Sequence, residues 1–143
     1  MIYLSRRYAF SASHRLHSDR LSEEENWRVY GKCNNPYGHG HNYALEVTLA
    51  GEISPVTGMI VDLGDLDRFV NEQILERFDH KNLNTLEQFS VQVPTSEMLC
   101  KTIYEILEQN FRLARPGGLT RVERVRLEET SLNSFEYPGK GHR

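Results

Sequence analysis

At 143 residues, 38% of them hydrophobic and 26% charged, the chain is expected to be a single domain, 1–143, with a real core and no need of metal or disulfide staples. The formal net charge of −3, with acidic and basic residues interspersed, argues against a nucleic-acid footprint, and no apolar run approaches the ~20 residues of a membrane span. Met1 to Arg7 carry neither the apolar stretch nor the small-residue cleavage site of a signal peptide, so a cytoplasmic protein is expected. Cys33 and Cys100 make no disulfide framework. The basic end, Lys140 to Arg143, reads as a solvated terminus.

Residues 2–14 place Ile2, Leu4, Tyr8, Phe10, Ala12 and His14 on one side, with Arg6 the one break; this period of two predicts a strand with His14 on its apolar face. Residues 15–40 read as a long polar connection ending in Asn34-Asn35-Pro36-Tyr37-Gly38, and a loop of that length in a compact domain is usually functional. Alternation returns from His41, with Tyr43, Leu45, Val47 and Leu49 against Ala44, Glu46, Thr48 and Ala50, and predicts a second strand ending near Gly51. After a turn at 55–58, Asp62 caps a helix carrying Leu66, Phe69, Val70 and Ile74. A polar break at Asp79-His80-Lys81-Asn82 follows. Thr95 or Ser96 caps a second helix with the stripe Leu99, Ile103, Ile106, Leu107 and Phe111. Pro116-Gly117-Gly118 turns the chain into a strand with Val125, Leu127 and Glu129 on one face, and a short strand is expected near 134–137.

Two hairpins flanking two helices predict an α+β domain: a four-stranded antiparallel sheet with both helices packed on one side. Four strands leave two open edges, a liability that joining several such sheets into a barrel would remove, so a homo-oligomer is expected.

The most informative stretch is Cys33 to His41. His39 and His41, two apart at the start of a strand, share a face and can point at one ion. Gly38 and Gly40 let backbone or substrate approach closely. His14, ending a strand on its apolar face, is the best third ligand, with His17 the substitute. Three neutral imidazoles around Zn²⁺ leave one coordination position open, as catalytic sites do, and the ion then polarises a hydroxyl or carbonyl oxygen. A His-Gly-His that only makes a polar turn is the competing reading.

Three readings are open for Cys33: a small buried residue, a proton acceptor whose pKa falls beside the cation, or a fourth ligand. Cys100, among apolar helix neighbours, reads as core. Asp79 and His80 form a plausible acid–base pair or merely a helix-ending loop. Glu129, on a buried face, needs a partner, either a structural cation or the amidine-like edge of a 2-aminopyrimidinone ring. Pro94-Thr95-Ser96-Glu97 make a helix start, with ligand contact secondary.

Phe10-Ser11-Ala12-Ser13-His14-Arg15-Leu16, Tyr30-Gly31-Lys32-Cys33-Asn34-Asn35-Pro36 and Gly38-His39-Gly40-His41-Asn42-Tyr43 resemble the 6-pyruvoyltetrahydropterin synthase family. The likeness continues through Gly51-Glu52-Ile53, Thr57-Gly58-Met59, Asp79-His80-Lys81-Asn82-Leu83-Asn84 and Glu129-Thr130. It implies the tunnelling fold, with trimers pairing into hexamers and active sites between subunits. It also implies zinc on His14, His39 and His41, a cysteine proton acceptor at Cys33, an acid–base pair at Asp79 and His80, and a pterin anchor at Glu129. The implied reaction turns 7,8-dihydroneopterin triphosphate into 6-pyruvoyltetrahydropterin and triphosphate without a redox cofactor. Lys32, Arg15 and Lys81 are nearby candidates for the triphosphate. Two alternatives are a 6-carboxytetrahydropterin synthase of the queuosine route, whose cysteine usually stands closer to its His-Gly-His, and a non-catalytic zinc- or pterin-binding module.

Overall fold

The alternating segments form the two longest strands, β1 (Ile2–His14) and β2 (His39–Gly51), paired antiparallel from Ile2 opposite Gly51 to His14 opposite His39. The structure, a computed structural model, describes residues 1–139; the basic end expected at Lys140 to Arg143 lies outside them. Strand β4 (Arg121–Thr130) pairs with β2, and β5 (Asn133–Tyr137) with β4, both antiparallel.

The expectation of four antiparallel strands needs correction. Lys81–Asn82 forms a short strand β3 parallel to β1, giving a mixed five-stranded sheet in the order β3-β1-β2-β4-β5. Its cause is local. The polar break after the first long helix must satisfy its main-chain groups, and the edge of β1 offers partners: His80 N donates to Ser11 O at 2.6 Å, and Ser11 N donates to Asp79 Oδ1 at 2.9 Å. Two residues are too few to leave a periodicity.

One face of the sheet is covered by helices. Asp62 accepts a hydrogen bond from Asp65 N and starts α2 (Leu63–Val70), which runs on through a π-helical turn, Asn71–Leu75, into α3 (Glu76–Phe78). Leu66, Val70, Ile74 and Phe78 are fully buried along this helical run. Thr95, and not Ser96, caps α4 (Ser96–Ala114) by accepting from Met98 N at 3.2 Å. Its Leu99, Ile103, Leu107 and Phe111 share the core with Phe10, Tyr43, Leu45, Val47, Leu49, Val125 and Leu127 of the sheet. Cys100 is core as expected; burial pushes its thiol up to about 12. Arg6, the break in the β1 pattern, forks onto Asp67 of α2 at 2.9 and 2.7 Å, and Tyr8 donates to the same carboxylate. The polar interruption therefore ties helix to strand.

The other face carries Arg7 on Glu46 and Arg126 on Ser134. Strand partners for β1 within the described residues are β2 and, at Ala12 and Ser13 alone, β3, so most of its outer edge has no strand beside it.

Residues 15–40 are not a plain connection. They contain α1 (Glu23–Tyr30) and a 3₁₀ turn, Gly31–Asn34. Ser22 and Glu25 form a reciprocal capping box, a signal present in the sequence. The helix lacks an apolar stripe, with Trp27 and Val29 exposed, which is why periodicity does not reveal it. It is anchored instead by fully buried Asn26, whose Nδ2 donates to the carbonyls of Ser18, Leu21 and Ser22 and whose Oδ1 accepts from Ser18 N at 2.7 Å. Asn26→Ala leaves these groups unmatched and is expected to cost about 1–3 kcal/mol. Denaturant unfolding should show that loss, and limited proteolysis should cut between Ser18 and Tyr30 sooner; an unchanged cleavage pattern would refute the anchoring role.

Candidate active site

The antiparallel register builds the site. His14 lies directly opposite His39, and Ala12 opposite His41, so the three histidines occupy adjacent positions where β1 ends and β2 begins. Cross-strand neighbours on one face stand about 5 Å apart at Cβ. The same face carries Phe10, Ala12, Tyr43 and Leu45, so the hydrophobic core terminates in three imidazoles.

Their rings are mutually near-perpendicular, at 87–89°, with centroids 4.8–5.1 Å apart. One ligand atom from each lies within 4.8 Å of the others, and Nε2 of His14 is 3.2 Å from Nε2 of His39. Tetrahedral ligation with metal–nitrogen bonds of 2.0–2.1 Å places ligand nitrogens about 3.3 Å apart. His14, 1% exposed, points its other nitrogen, Nδ1, at the carbonyl of Pro94 at 2.8 Å. An Nδ1–H donated there leaves the Nε2 lone pair facing inward, the usual support of a ligating histidine. His41 Nε2 is buried without an aligned hydrogen-bond partner among the described residues, although Glu129 Oε1 stands 3.0 Å away. A lone pair left in that position suits a cation. The trio fits a metal ion, as the sequence predicts. His17 does not belong to it; its Nδ1 lies 3.0 Å from Asn34 Nδ2.

Gly38 meets the expectation of close approach. Its φ is 71°, and a Cβ there would lie 2.8 Å from the His14 carbonyl oxygen. At Gly40 a Cβ would sit 3.6 Å from Ala12 O, an ordinary contact, so main-chain packing does not require glycine there; Gly40 lines the groove beside His41.

Cys33 is half-buried in the 3₁₀ turn, with its carbonyl accepting from Leu16 N at 2.8 Å. Burial first, then the Glu129 carboxylate, raises its thiol pKa. The lowering expected beside a cation therefore has to come from the cation itself. Glu129 is skipped in the β4–β5 register, which shifts between Glu128 and Thr130, and at this irregularity it faces His41 and Asn133.

Asp79 and His80 are a real pair, Oδ1 to Nδ1 at 2.9 Å. The Ser11 amide, then the His80 ring, hold the carboxylate below its usual range. His80 has φ 58° and a side chain 83% exposed, so a residue that seldom adopts this conformation holds its imidazole out to solvent. A groove of about 330 Å³ joins His41 and Asn42 to His80, Lys81 and Asn82. At the N-terminus of α4, Thr95 is the cap, Ser96 is buried and Glu97 is exposed.

Sequence reasoning missed three contributors. The Pro94 carbonyl is a main-chain atom and leaves no residue-type signal. The Tyr43 ring packs edge-on to His41, with centroids 5.6 Å apart; burial pushes its hydroxyl up to about 12, with nearby Ser96 pulling the other way. Neither hydroxyl has an aligned partner among the described residues. Asn34, buried beside Cys33, is the third.

The model of the family described as 6-pyruvoyl tetrahydropterin synthase matches residues 3–140. The chain belongs to this family. It is 48% identical over 139 residues to the 6-pyruvoyl tetrahydrobiopterin synthase of Poecilia reticulata, covering 96% of this chain and 90% of that one. Against the human 6-pyruvoyl tetrahydrobiopterin synthase it is 44% identical over 138 residues, 96% and 91% of the two chains. The solved 6-pyruvoyl tetrahydropterin synthase of Caenorhabditis elegans superposes with a TM-score of 0.86 at 39% identity, over 96% of this chain and 95% of that one. The family is enzymatic, and its tetrahydrobiopterin synthases are what this chain is similar to.

Burial lowers the pKa of His14 and of His41 from 6.5. The folded metal-free chain thus binds fewer protons than the unfolded chain in the window from those depressed values up to 6.5. Stability rises with pH through this window and is lost on acidification. Melting of the metal-free chain between about pH 5 and 8 should show this fall below 6.5, and His14→Gln should flatten it; an unchanged slope in that variant would refute the assignment.

Proposed function

We propose that the chain is a zinc-dependent 6-pyruvoyltetrahydropterin synthase, a lyase converting 7,8-dihydroneopterin triphosphate to 6-pyruvoyltetrahydropterin and triphosphate. The observation that carries this reading is an open trio of histidines, His14, His39 and His41, flanked by Cys33, Glu129 and the groove of His80. A merely structural zinc site would be closed by a fourth protein ligand.

The proposed roles follow from position. Zn²⁺, when bound, supplies Lewis acidity toward the side-chain oxygens of the substrate. Cys33 accepts a carbon-bound proton, and His80, oriented by Asp79, moves protons on the other side of the side chain. Glu129 receives the 2-amino and ring N–H edge of the pterin, which two carboxylate oxygens match. Ser96, whose buried hydroxyl has no aligned partner among the described residues, and Thr95 and Glu97 beside it, line the pterin end. Lys81, in the groove, and exposed Lys32 are the cations best placed for triphosphate, since Arg15 already donates to Asn34 O. Oxidation of the side chain balances reduction of the ring within one molecule, and triphosphate leaves with its electron pair.

We further propose that one pterin-synthase domain assembles as a homo-oligomer, a trimer or dimer of trimers, closing its sheets into a barrel. The largely unpartnered outer edge of β1 supports this. Both cysteines are free, which suits a cytoplasmic setting.

Purified protein loaded with Zn²⁺ and given dihydroneopterin triphosphate should yield 6-pyruvoyltetrahydropterin and triphosphate by mass spectrometry. Release of acetaldehyde with a carboxypterin would identify a 6-carboxytetrahydropterin synthase instead, and binding without triphosphate release would identify a non-catalytic module. Cys33→Ala should lower kcat by at least about 10²-fold with zinc content unchanged; loss of zinc would make Cys33 a ligand.

A further inference from the structure

The segment Arg15-Leu16-His17 follows His14 directly and is held from two sides by carboxamides. On one side, Asn84 accepts from Arg15 N at 2.7 Å and donates to Arg15 O at 2.8 Å. Asn84 sits in the turn after β3, four residues beyond His80. That run is stitched to β1 along its length, by Asp79 and His80 on Ser11 and by β3 on Ala12 and Ser13. On the other side, Asn34 Nδ2 donates to Leu16 O at 2.7 Å, Arg15 Nε donates to Asn34 O at 3.1 Å, and Leu16 N donates to Cys33 O at 2.8 Å. Asn34 is the immediate neighbour of Cys33 and is buried.

The two groups read as proton carriers therefore do not hang on independent loops. Cys33 and its neighbour Asn34 bond this three-residue stretch directly, and the run that carries His80, itself fixed on Ser11, reaches the same stretch through Asn84; the stretch is covalently continuous with His14. We propose that Asn84 and Asn34 are positioning residues that set the placement of Cys33 relative to His80 through the Arg15–His17 segment. The assignment of catalytic duties rests on the function proposed above; the mechanical coupling does not. The cost of misplacement is large, because a shift of about 1 Å in a reacting group can reduce rate on the order of 100-fold.

Asn84 is exposed, so Asn84→Ala frees Arg15 N and O to meet water and should fold. The direct readout is the rate at which iodoacetamide alkylates Cys33 in the zinc-loaded protein. Coupling predicts that this rate changes several-fold or more in Asn84→Ala. Asn84→Asp, which keeps the acceptor for Arg15 N and loses the donor to Arg15 O, should change it less. Zinc content should stay at the wild-type level in both. With dihydroneopterin triphosphate, kcat should fall about 10–100-fold with KM little changed. Alkylation of Cys33 at the wild-type rate in both variants would overturn the proposal, as would a fall in zinc content and melting temperature without a separate effect on Cys33. If the wild-type protein does not turn over that substrate, the proposed function fails while the alkylation comparison still decides the coupling. Should Asn34→Ala also fold, the two substitutions combined should change alkylation by less than the product of their separate effects, because they act on one segment; independent effects would count against it.

Discussion

The constraint on which the site depends is the pairing of β1 with β2. Setting His14 opposite His39 at the end of the register forces three imidazoles onto the face that elsewhere carries Phe10, Tyr43 and Leu45. A hydrophobic face ending in three lone-pair donors is unfavourable unless their nitrogens are engaged. The Pro94 carbonyl takes one nitrogen of His14, and a metal ion is the partner that suits the nitrogens facing inward. A one-residue slip of β1 on β2 would turn the histidines to the other face and dismantle core and site together. Stability and chemistry therefore share one register.

Around this centre the chain places its polar groups by main-chain attachment. Gly38 passes so close to His14 that a side chain there would meet the carbonyl. Asp79 is fixed by the Ser11 amide, and His80 is held in a left-handed conformation by its own bond to Ser11. Asn26 anchors the helix that leads into Cys33. These attachments all lie at one end of the sheet, while the helices secure the middle through Leu66, Ile74, Ile103 and Leu107. The polar end can thus be dense in hydrogen bonds without weakening the core.

Much of this was legible in the sequence, for definite reasons. Period-two alternation locates β1, β2 and β4, places His14 on an apolar face and sets His39 and His41 together on one face. Helix stripes found α2 and α4 because those helices bury one side. The unread parts lack periodicity. Helix α1 is held by an asparagine and a capping box, and β3 is two residues long. The same limit hid Pro94, whose role is carried by a carbonyl that every residue possesses, and Asn34, whose side chain binds main chain eighteen positions away. Alternation places Glu129 on the face it shares with Val125 and Leu127, whereas its partners there, His41 and Asn133, emerge only when β4 pairs with its neighbours. Family resemblance supplied roles that spacing alone could not assign.

The proposed open metal centre takes three histidine ligands from this chain. Anomalous diffraction at the zinc edge, from crystals of the zinc-loaded protein, locates the ion. One peak per chain is expected at bonding distance from His14, His39 and His41, with the remaining coordination position held by water or substrate. A peak closed by Cys33 or Glu129 as a fourth protein ligand, or one located away from the three histidines, would contradict it.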